Sequence, residues 1–160
     1  MRATEVTPEP GIEQWLPGAD FSDAFRVELT DAALTARMAA ERILGGDQPR
    51  WIARLMAIRN IAVKPFKLKH PAPPLRPTAG SIGIFPVIAE MPERIVLGFD
   101  DSHLDFRVVV DVLTALDGKQ KRVTLTTLVY RHNRLGRIYL AIIKPFHRMV
   151  ARTMLNRVIG

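Results

Sequence analysis

Residues 103–113 alternate between apolar and polar side chains with a period of two that only Val109 and Leu113 interrupt. One face of this run carries Leu104, Phe106, Val108, Val110 and Val112. The other carries His103, Asp105, Arg107, Val109 and Asp111. Such alternation is typical of a β-strand with one buried face. We therefore predict a strand whose first face is core and whose second face is largely solvated.

Shorter alternating runs predict further strands. They cover residues 25–29, 82–88, 95–99 and 123–130. Pro86 favours an edge strand or a bulge in the second of these runs, because proline cannot donate to a neighbouring strand. Asp117-Gly118 is typical of a tight turn and predicts a hairpin that joins 103–113 to 123–130. The sheet is therefore expected to be antiparallel.

The helical patterns of the first half follow the first predicted strand. Thr30-Asp31 offers an N-cap for a helix that Gly45-Gly46 would end. Pro49 favours the start of a second short helix, which would end before Lys64-Pro65. Five prolines follow Lys64 within about a dozen residues, which forbids a helix there and predicts an extended crossing segment.

The period changes to 3.6 residues after Asn133, a plausible N-cap. A broad apolar stripe contains Leu135, Ile138, Tyr139, Ile142, Ile143, Phe146, Met149, Val150 and Leu155. Basic residues fall largely on another face: Arg137, Lys144, Arg148 and Arg152. Pro145 removes one helical hydrogen bond and predicts a kink. We expect a long, kinked, amphipathic C-terminal helix that buries its stripe against the sheet.

Composition places the chain among globular proteins. Its 160 residues fit one domain, with 48% hydrophobic and 24% charged residues and no cysteine. Disulfides, thiolate metal sites and cysteine nucleophiles are therefore excluded. No signal peptide and no apolar run of about 20 residues occurs, so we expect a soluble, cytoplasmic protein without a transmembrane segment.

Positive charge is concentrated at the C-terminus. The segment from Gly118 to Gly160 contains ten Lys or Arg and no Asp or Glu, within a chain of net charge +7. An anionic surface is one partner that this asymmetry suggests. The alternative is that these charges are solvated and balanced by acids elsewhere in the fold. No nucleic-acid partner is expected, because no aromatic platform interleaved with basic residues is present.

Three motifs resemble a bacterial domain-of-unknown-function family, number 2867: GSIGIFPV, VLGFDDSHLDFRV and RHNRLGRIYLAIIKPFHRMVARTML. The likeness runs from about Phe25 to the C-terminus. The order of elements is similar to the START-like (SRPBCC, helix-grip) superfamily, an α+β fold. That resemblance implies a curved antiparallel sheet wrapped around a long kinked C-terminal helix, with two short helices after the first strand. Residues 1–20 would be an extended N-terminal segment and 21–160 a single START-like domain.

The superfamily analogy implies a cavity between sheet and helix for an apolar or amphipathic small molecule, lipid-like or polyketide-like. Candidate lining residues are Phe85, Phe99, Phe106, Arg131, Tyr139, Ile143 and Phe146. Arg131 shares parity with the apolar face of its strand, so it either meets a ligand anion or turns out to solvent. The family implies no established activity, and no cofactor is expected.

A second set of candidate site residues, less strongly indicated than the first, is polar: His103, Asp105, Arg107 and His132. These groups could hold an anion or move a proton, but a surface ion network is the favoured interpretation. Asp100 and Asp101 beside His103 do not predict a metal site, because no second histidine has matching spacing.

Other sequence signals of chemistry are weak. His132 and His147 are interpreted as capping or packing residues. Hydrolase and kinase motifs are absent. An enzyme that uses the same cavity, and a subunit that docks an anionic surface through its basic C-terminal helix, are the alternatives to a non-catalytic binding domain.

Overall fold

A computed structural model describes residues 2–47, 50, 54, 80–100 and 103–160, and within them the chain is α+β. The strands are β1 (Thr4–Val6), β2 (Phe21–Leu29), β3 (Ser81–Ile82), β4 (Phe85–Met91), β5 (Arg94–Asp100), β6 (Leu104–Thr114) and β7 (Lys121–Arg131). The α-helices are α1 (Ala36–Leu44) and α2 (Arg134–Asn156), and short 3-10 helices span Ile12–Trp15 and Arg157–Ile159. The predicted second helix and the proline-rich crossing lie outside the described residues.

The seven strands form one curved antiparallel sheet in the order β1-β2-β7-β6-β5-β4-β3. The predicted hairpin is confirmed: β6 and β7 pair from Leu104 with Arg131 to Thr114 with Lys121. Asp117 stabilises the connecting loop, because its carboxylate accepts hydrogen bonds from the backbone N–H groups of Lys119 and Gln120. We call the face that meets the helices the inner face and the opposite one the outer face.

The main core lies between the inner face, α1 and the C-terminal half of α2. Phe25, Ile95 and Leu97 are completely buried there, as is Ile43 of α1. The N-cap of α1 is Thr35, whose hydroxyl accepts from Met38 N. The helix therefore begins later than the predicted cap at Thr30-Asp31, because Asp31 instead closes a turn through Leu34 N.

The C-terminal helix starts at its predicted cap, since the Asn133 side chain accepts a hydrogen bond from Gly136 N. Gly136 is required by close packing: a Cβ there would lie 2.4 Å from the carbonyl oxygen of His103. The helix continues through Pro145 to Asn156. Arg157 then joins the two helices, because its guanidinium donates to the carbonyl oxygens of Ile43 and Gly45.

The predicted burial of the whole apolar stripe of α2 is wrong. The residues that α2 buries are Gly136, Leu140, Ala151, Met154 and Leu155. Four large residues of the stripe are exposed instead: Ile138, Ile142, Phe146 and Met149. The helix turns a side that includes two small residues toward the sheet, which allows close approach and leaves the bulkier side pointing outward.

The predicted solvated face of 103–113 is also wrong. The N-terminal segment covers the outer face, where Ile12 and Leu16 pack with Val96, Val109 and Leu128. All five of these residues are buried. Burial of apolar surface by a segment distant in sequence explains the error, since alternation reports only which residues share a face.

Strand boundaries at two places differ from the predicted runs. Strand β2 begins at Phe21 rather than Phe25 and is preceded by β1, which pairs with its residues 24–26. The run 82–88 is split into β3 and β4 by a turn at Gly83, whose φ is +59°. A Cβ at Gly83 would lie 2.5 Å from the carbonyl oxygen of Leu44, so a side chain is excluded there.

A charged network lies beneath the N-terminal segment on the outer face. Asp111 is buried and pairs with Arg94, while Glu9 approaches Arg94 at 3.9 Å and Arg26 at 3.7 Å. Burial raises the pKa of the Asp111 carboxyl, although the guanidinium of Arg94 opposes this. The hydrogen bond to Asp111 raises the pKa of Arg94. The network therefore ties β5, β6 and the N-terminal segment together.

Candidate functional site

A row of aromatic side chains crosses the inner face from β2 to β4. In the strand register Phe21 is opposite Val129, Val129 is opposite Phe106, and Phe106 is opposite Phe99. The ring of Phe85 on β4 stacks on Phe99 with the centroids 6.3 Å apart. Five adjacent strands span about 19 Å at the usual strand spacing. We call Phe21, Val129, Phe106, Phe99 and Phe85 the aromatic row.

The three rings on β4, β5 and β6 contact one another. The Phe99 and Phe106 centroids lie 5.5 Å apart, and those of Phe85 and Phe106 lie 5.7 Å apart. These spacings are within the range of favourable aromatic pairs. All four phenylalanines of the row are only partly buried. The described residues therefore leave the four rings only partly covered, whereas Val129, between Phe21 and Phe106, is buried against Leu140.

Three polar side chains lie beside the Phe21 end of the aromatic row on the inner face. We call them the polar cluster: Asp23, Thr127 and His147. Asp23 on β2 and Thr127 on β7 are register partners. His147 reaches them from α2, with its Nε2 3.3 Å from Asp23 Oδ1 and 3.2 Å from Thr127 Oγ1. Asp23 and Thr127 are both buried.

One oxygen of the polar cluster has no partner. Asp23 Oδ2 is buried and makes no hydrogen bond to any described residue. A carboxylate oxygen removed from water without a donor is costly, so the site is not optimised for stability alone.

Phe21 connects the aromatic row to the polar cluster and to a cation. The His147 ring meets Phe21 edge-on, with the centroids 6.3 Å apart. Lys144 Nζ lies 5.5 Å from the centroid of the Phe21 ring, within the range of a cation–π contact. Among the described residues, Lys144 makes no ion pair. The row thus has an apolar end at Phe85 and a cationic end at Phe21.

An open groove of about 780 Å³ runs along the cationic end, between β1, β2 and α2. Its lining residues are Glu5, Val6, Thr7, Pro8, Asp20, Phe21, Ser22, Asp23, Lys144 and Arg148. Arg148, one helical turn after Lys144, pairs with Glu5 at 3.2 Å. Lys144 is therefore the groove cation that is left for a bound anion.

Asp23 is not among the residues predicted from the sequence, and His147 is interpreted there as a capping or packing residue. A signal for the first was present: Asp23 interrupts an apolar face that otherwise contains Phe21, Phe25 and Val27. Thr127 interrupts the corresponding apolar face of β7 in the same way. A polar residue on a core face needs a partner, and two such residues in register indicate a shared one.

The candidate apolar residues are brought together only in part. Phe85, Phe99 and Phe106 form three-fifths of the aromatic row, and Tyr139 packs beside Phe106 and Leu104. Ile143 is half-buried on α2. Phe146 is 47% exposed and lies on the outward side of α2. Arg131 pairs with Asp20 at 2.8 Å where β7 ends.

The polar constellation of the sequence separates into pairs. Asp105 Oδ1 lies 2.8 Å from His132 Nε2, and His103 Nδ1 lies 3.3 Å from the Asn133 amide nitrogen. Arg107 turns away from both and donates to Asp100 Oδ1 at 2.7 Å. Within the described part of the chain, no three His, Asp or Glu residues are grouped so that they could hold a metal ion.

The family model for a protein of unknown function (DUF2867) matches residues 15–154. The chain belongs to this family. The match to DUF2867 spans β2 to α2 and so includes the whole aromatic row and the polar cluster. No curated protein and no solved structure matches the chain. No helix in the described part of this DUF2867 chain is both long and apolar enough to cross a membrane.

Proposed function

We propose that this DUF2867 chain is a START-like binding domain for an anionic amphipathic small molecule, lipid-like or polyketide-like. The apolar part of the ligand lies along the aromatic row, and its anionic group lies at the Phe21 end beside Lys144. Residues 21–160 form the binding domain, and residues 1–20 form a segment that packs on its outer face.

The observation that carries this proposal is the partly uncovered aromatic row that ends at a cation. A row of rings favours an elongated apolar guest, since each ring contributes a large area of contact. Lys144 then fixes the direction of the guest, because an ammonium group at one end of the row attracts the anionic end of an amphiphile.

The overall architecture supports the START-like part of the proposal. An antiparallel sheet with a long C-terminal helix on its inner face is the arrangement that the resemblance implies. In that arrangement ligands lie between sheet and helix. The polar cluster supports the same location, since Asp23 and His147 place ionisable groups between these two layers.

Fluorescent amphiphiles test the proposal without knowledge of the natural ligand. Anilinonaphthalene sulfonate is anionic, and phenylnaphthylamine is its uncharged counterpart. We expect Phe99→Ala to weaken binding of both probes about tenfold, because a stacking ring is lost. Lys144→Gln should weaken the anionic probe roughly fivefold and leave the neutral one unchanged.

Phe146→Ala is the matched control, since it removes the same side chain from the outward side of α2. It should bind both probes like the wild type. Thermal unfolding followed by circular dichroism shows whether each variant is folded. Equal weakening by Phe99→Ala and Phe146→Ala, or no weakening by either, overturns the proposal.

A further inference from the structure

The C-terminal helix α2 has three distinct sides. The first faces the sheet and contains Leu140, His147, Ala151 and Met154. The second is basic and contains Arg134, Arg137, Lys144, Arg148 and Arg152. The third, which we call the outward stripe, contains Ile138, Ile142, Phe146 and Met149. Helical periodicity places the outward stripe roughly opposite the side that packs on the sheet.

The outward stripe is a continuous apolar surface. Its four residues are spaced three and four apart, so they are neighbours on the helix. Each is between 43% and 48% exposed. Single exposed apolar residues are ordinary, but a contiguous line of large ones marks a contact surface. Packing within the described residues leaves this stripe without a cover.

The basic side borders the outward stripe along one flank. Arg134 and Arg137 make no ion pair with any described residue, and both are exposed. Glu5 neutralises part of the flank, since it pairs with Arg148 at 3.2 Å and approaches Arg152 at 3.9 Å. The whole segment from Gly118 to Gly160 contains no acidic residue. The flank therefore keeps a net positive charge.

We infer that α2 docks the protein, through the outward stripe and its basic flank, onto a membrane surface that contains anionic phospholipid. The stripe would enter the boundary between headgroups and acyl chains, and the arginines would meet the phosphates. From Arg134 to Arg152 these groups extend about 27 Å along a single helix, which matches an extended planar surface. None of the stripe residues belongs to the ligand site. Lys144 and Arg148 of the flank also line the groove, so the membrane test uses Arg134 and Arg137, which do not.

Vesicle co-sedimentation with the full chain tests this inference. At low salt we expect binding to vesicles of phosphatidylserine mixed with phosphatidylcholine, and little binding to pure phosphatidylcholine. Binding should fall as salt is raised, because salt screens the attraction between the arginines and the lipid phosphates. The double variant Arg134→Gln with Arg137→Gln should weaken binding roughly thirtyfold, at about fivefold per charge.

Two matched controls test whether vesicle binding depends on the stripe and its flank in particular or on any exposed charged or apolar residue. Lys119→Gln with Lys121→Gln removes two charges from the β6–β7 hairpin and should bind vesicles like the wild type. Ile142→Gln should weaken binding severalfold, whereas Leu116→Gln, at the fully exposed hairpin residue, should not. Phe99→Ala should keep vesicle binding intact, which distinguishes this surface from the ligand site.

The inference is overturned if the full chain fails to bind anionic vesicles at low salt. It is also overturned if both charge variants weaken binding equally, since charge alone would then explain it. Capture of an acidic protein in place of vesicles would assign the same surface to a protein partner and would reject the membrane. Circular dichroism of each variant ensures that loss of binding is not loss of folding.

Discussion

The two faces of the sheet each bury one aspartate, and the two aspartates have different partners. Asp111 on the outer face pairs with Arg94, beneath the N-terminal segment. Asp23 on the inner face meets His147 and Thr127. In both residues Oδ2 is buried without a hydrogen-bond partner among the described residues. Among the described residues, each face of the sheet therefore contains one buried carboxylate oxygen without a hydrogen-bond partner.

The two buried aspartates differ in the chemistry of their partners. The guanidinium of Arg94 is always charged, so Asp111 has a permanent counterion. Asp23 instead meets the imidazole of His147, whose Nε2 also lies 3.2 Å from Thr127 Oγ1.

The largest expected effect is on the outer face. Arg94→Ala should lower the free energy of unfolding by about 3 kcal/mol at neutral pH, because it leaves Asp111 buried without its counterion. The pKa of Asp111 is raised in the folded state, so its protonated form is favoured by folding and its penalty grows as pH rises above the unfolded value. The loss measured by urea unfolding should therefore be greater at pH 8 than at pH 4.

Arg122→Ala provides the matched control for that measurement. Arg122 pairs with Glu28 on the same sheet, and both side chains are partly exposed, at 31% and 42%. Its loss should cost less than about 1 kcal/mol at either pH. Equal losses for Arg94→Ala at pH 4 and pH 8 would show that the buried charge of Asp111 is not what the arginine compensates.

A smaller effect of opposite sign is expected on the inner face. Asp23→Val combined with His147→Leu should raise the free energy of unfolding by about 1 kcal/mol, since apolar residues replace a buried, incompletely paired group. Urea unfolding measures the change. A decrease of more than about 2 kcal/mol would make this pair structural, like the one on the outer face, and would remove the contrast between the two faces.

Much of the sheet could be predicted from the sequence, because its determinants are local. Alternation in 103–113 and 123–130, with Asp117-Gly118 between them, is sufficient for the long hairpin. The Asn133 cap and the change to a period of 3.6 are sufficient for the start of α2. These signals depend on residues within a few positions of one another.

The coverings of the two faces could not be predicted, because they depend on contacts between distant segments. Val109 and Leu128 share a face with polar residues, yet only the fold shows that the N-terminal segment buries them. The rotation of α2 about its axis likewise decides whether Phe146 or His147 meets the sheet. Periodicity defines the sides of a helix but not which side the rest of the chain selects.

The residues of the candidate site could be predicted only where alternation within a single strand defines which face they share. Phe85, Phe99 and Phe106 could be named, since alternation places them on one face. Asp23 and Thr127 interrupt apolar faces and could have been found by parity alone. Their meeting with His147 requires both the register of β2 with β7 and the rotation of α2, and neither is encoded locally.

The central claim is that an anionic amphiphile lies along the aromatic row, and NMR of ring-labelled phenylalanine tests it most directly. Addition of anilinonaphthalene sulfonate should shift the resonances of Phe21, Phe85, Phe99 and Phe106. Phe25, buried on the same face, and Phe146, on the outward stripe, should stay unchanged. Shifts confined to Phe146, or spread evenly over all the rings, would contradict the account.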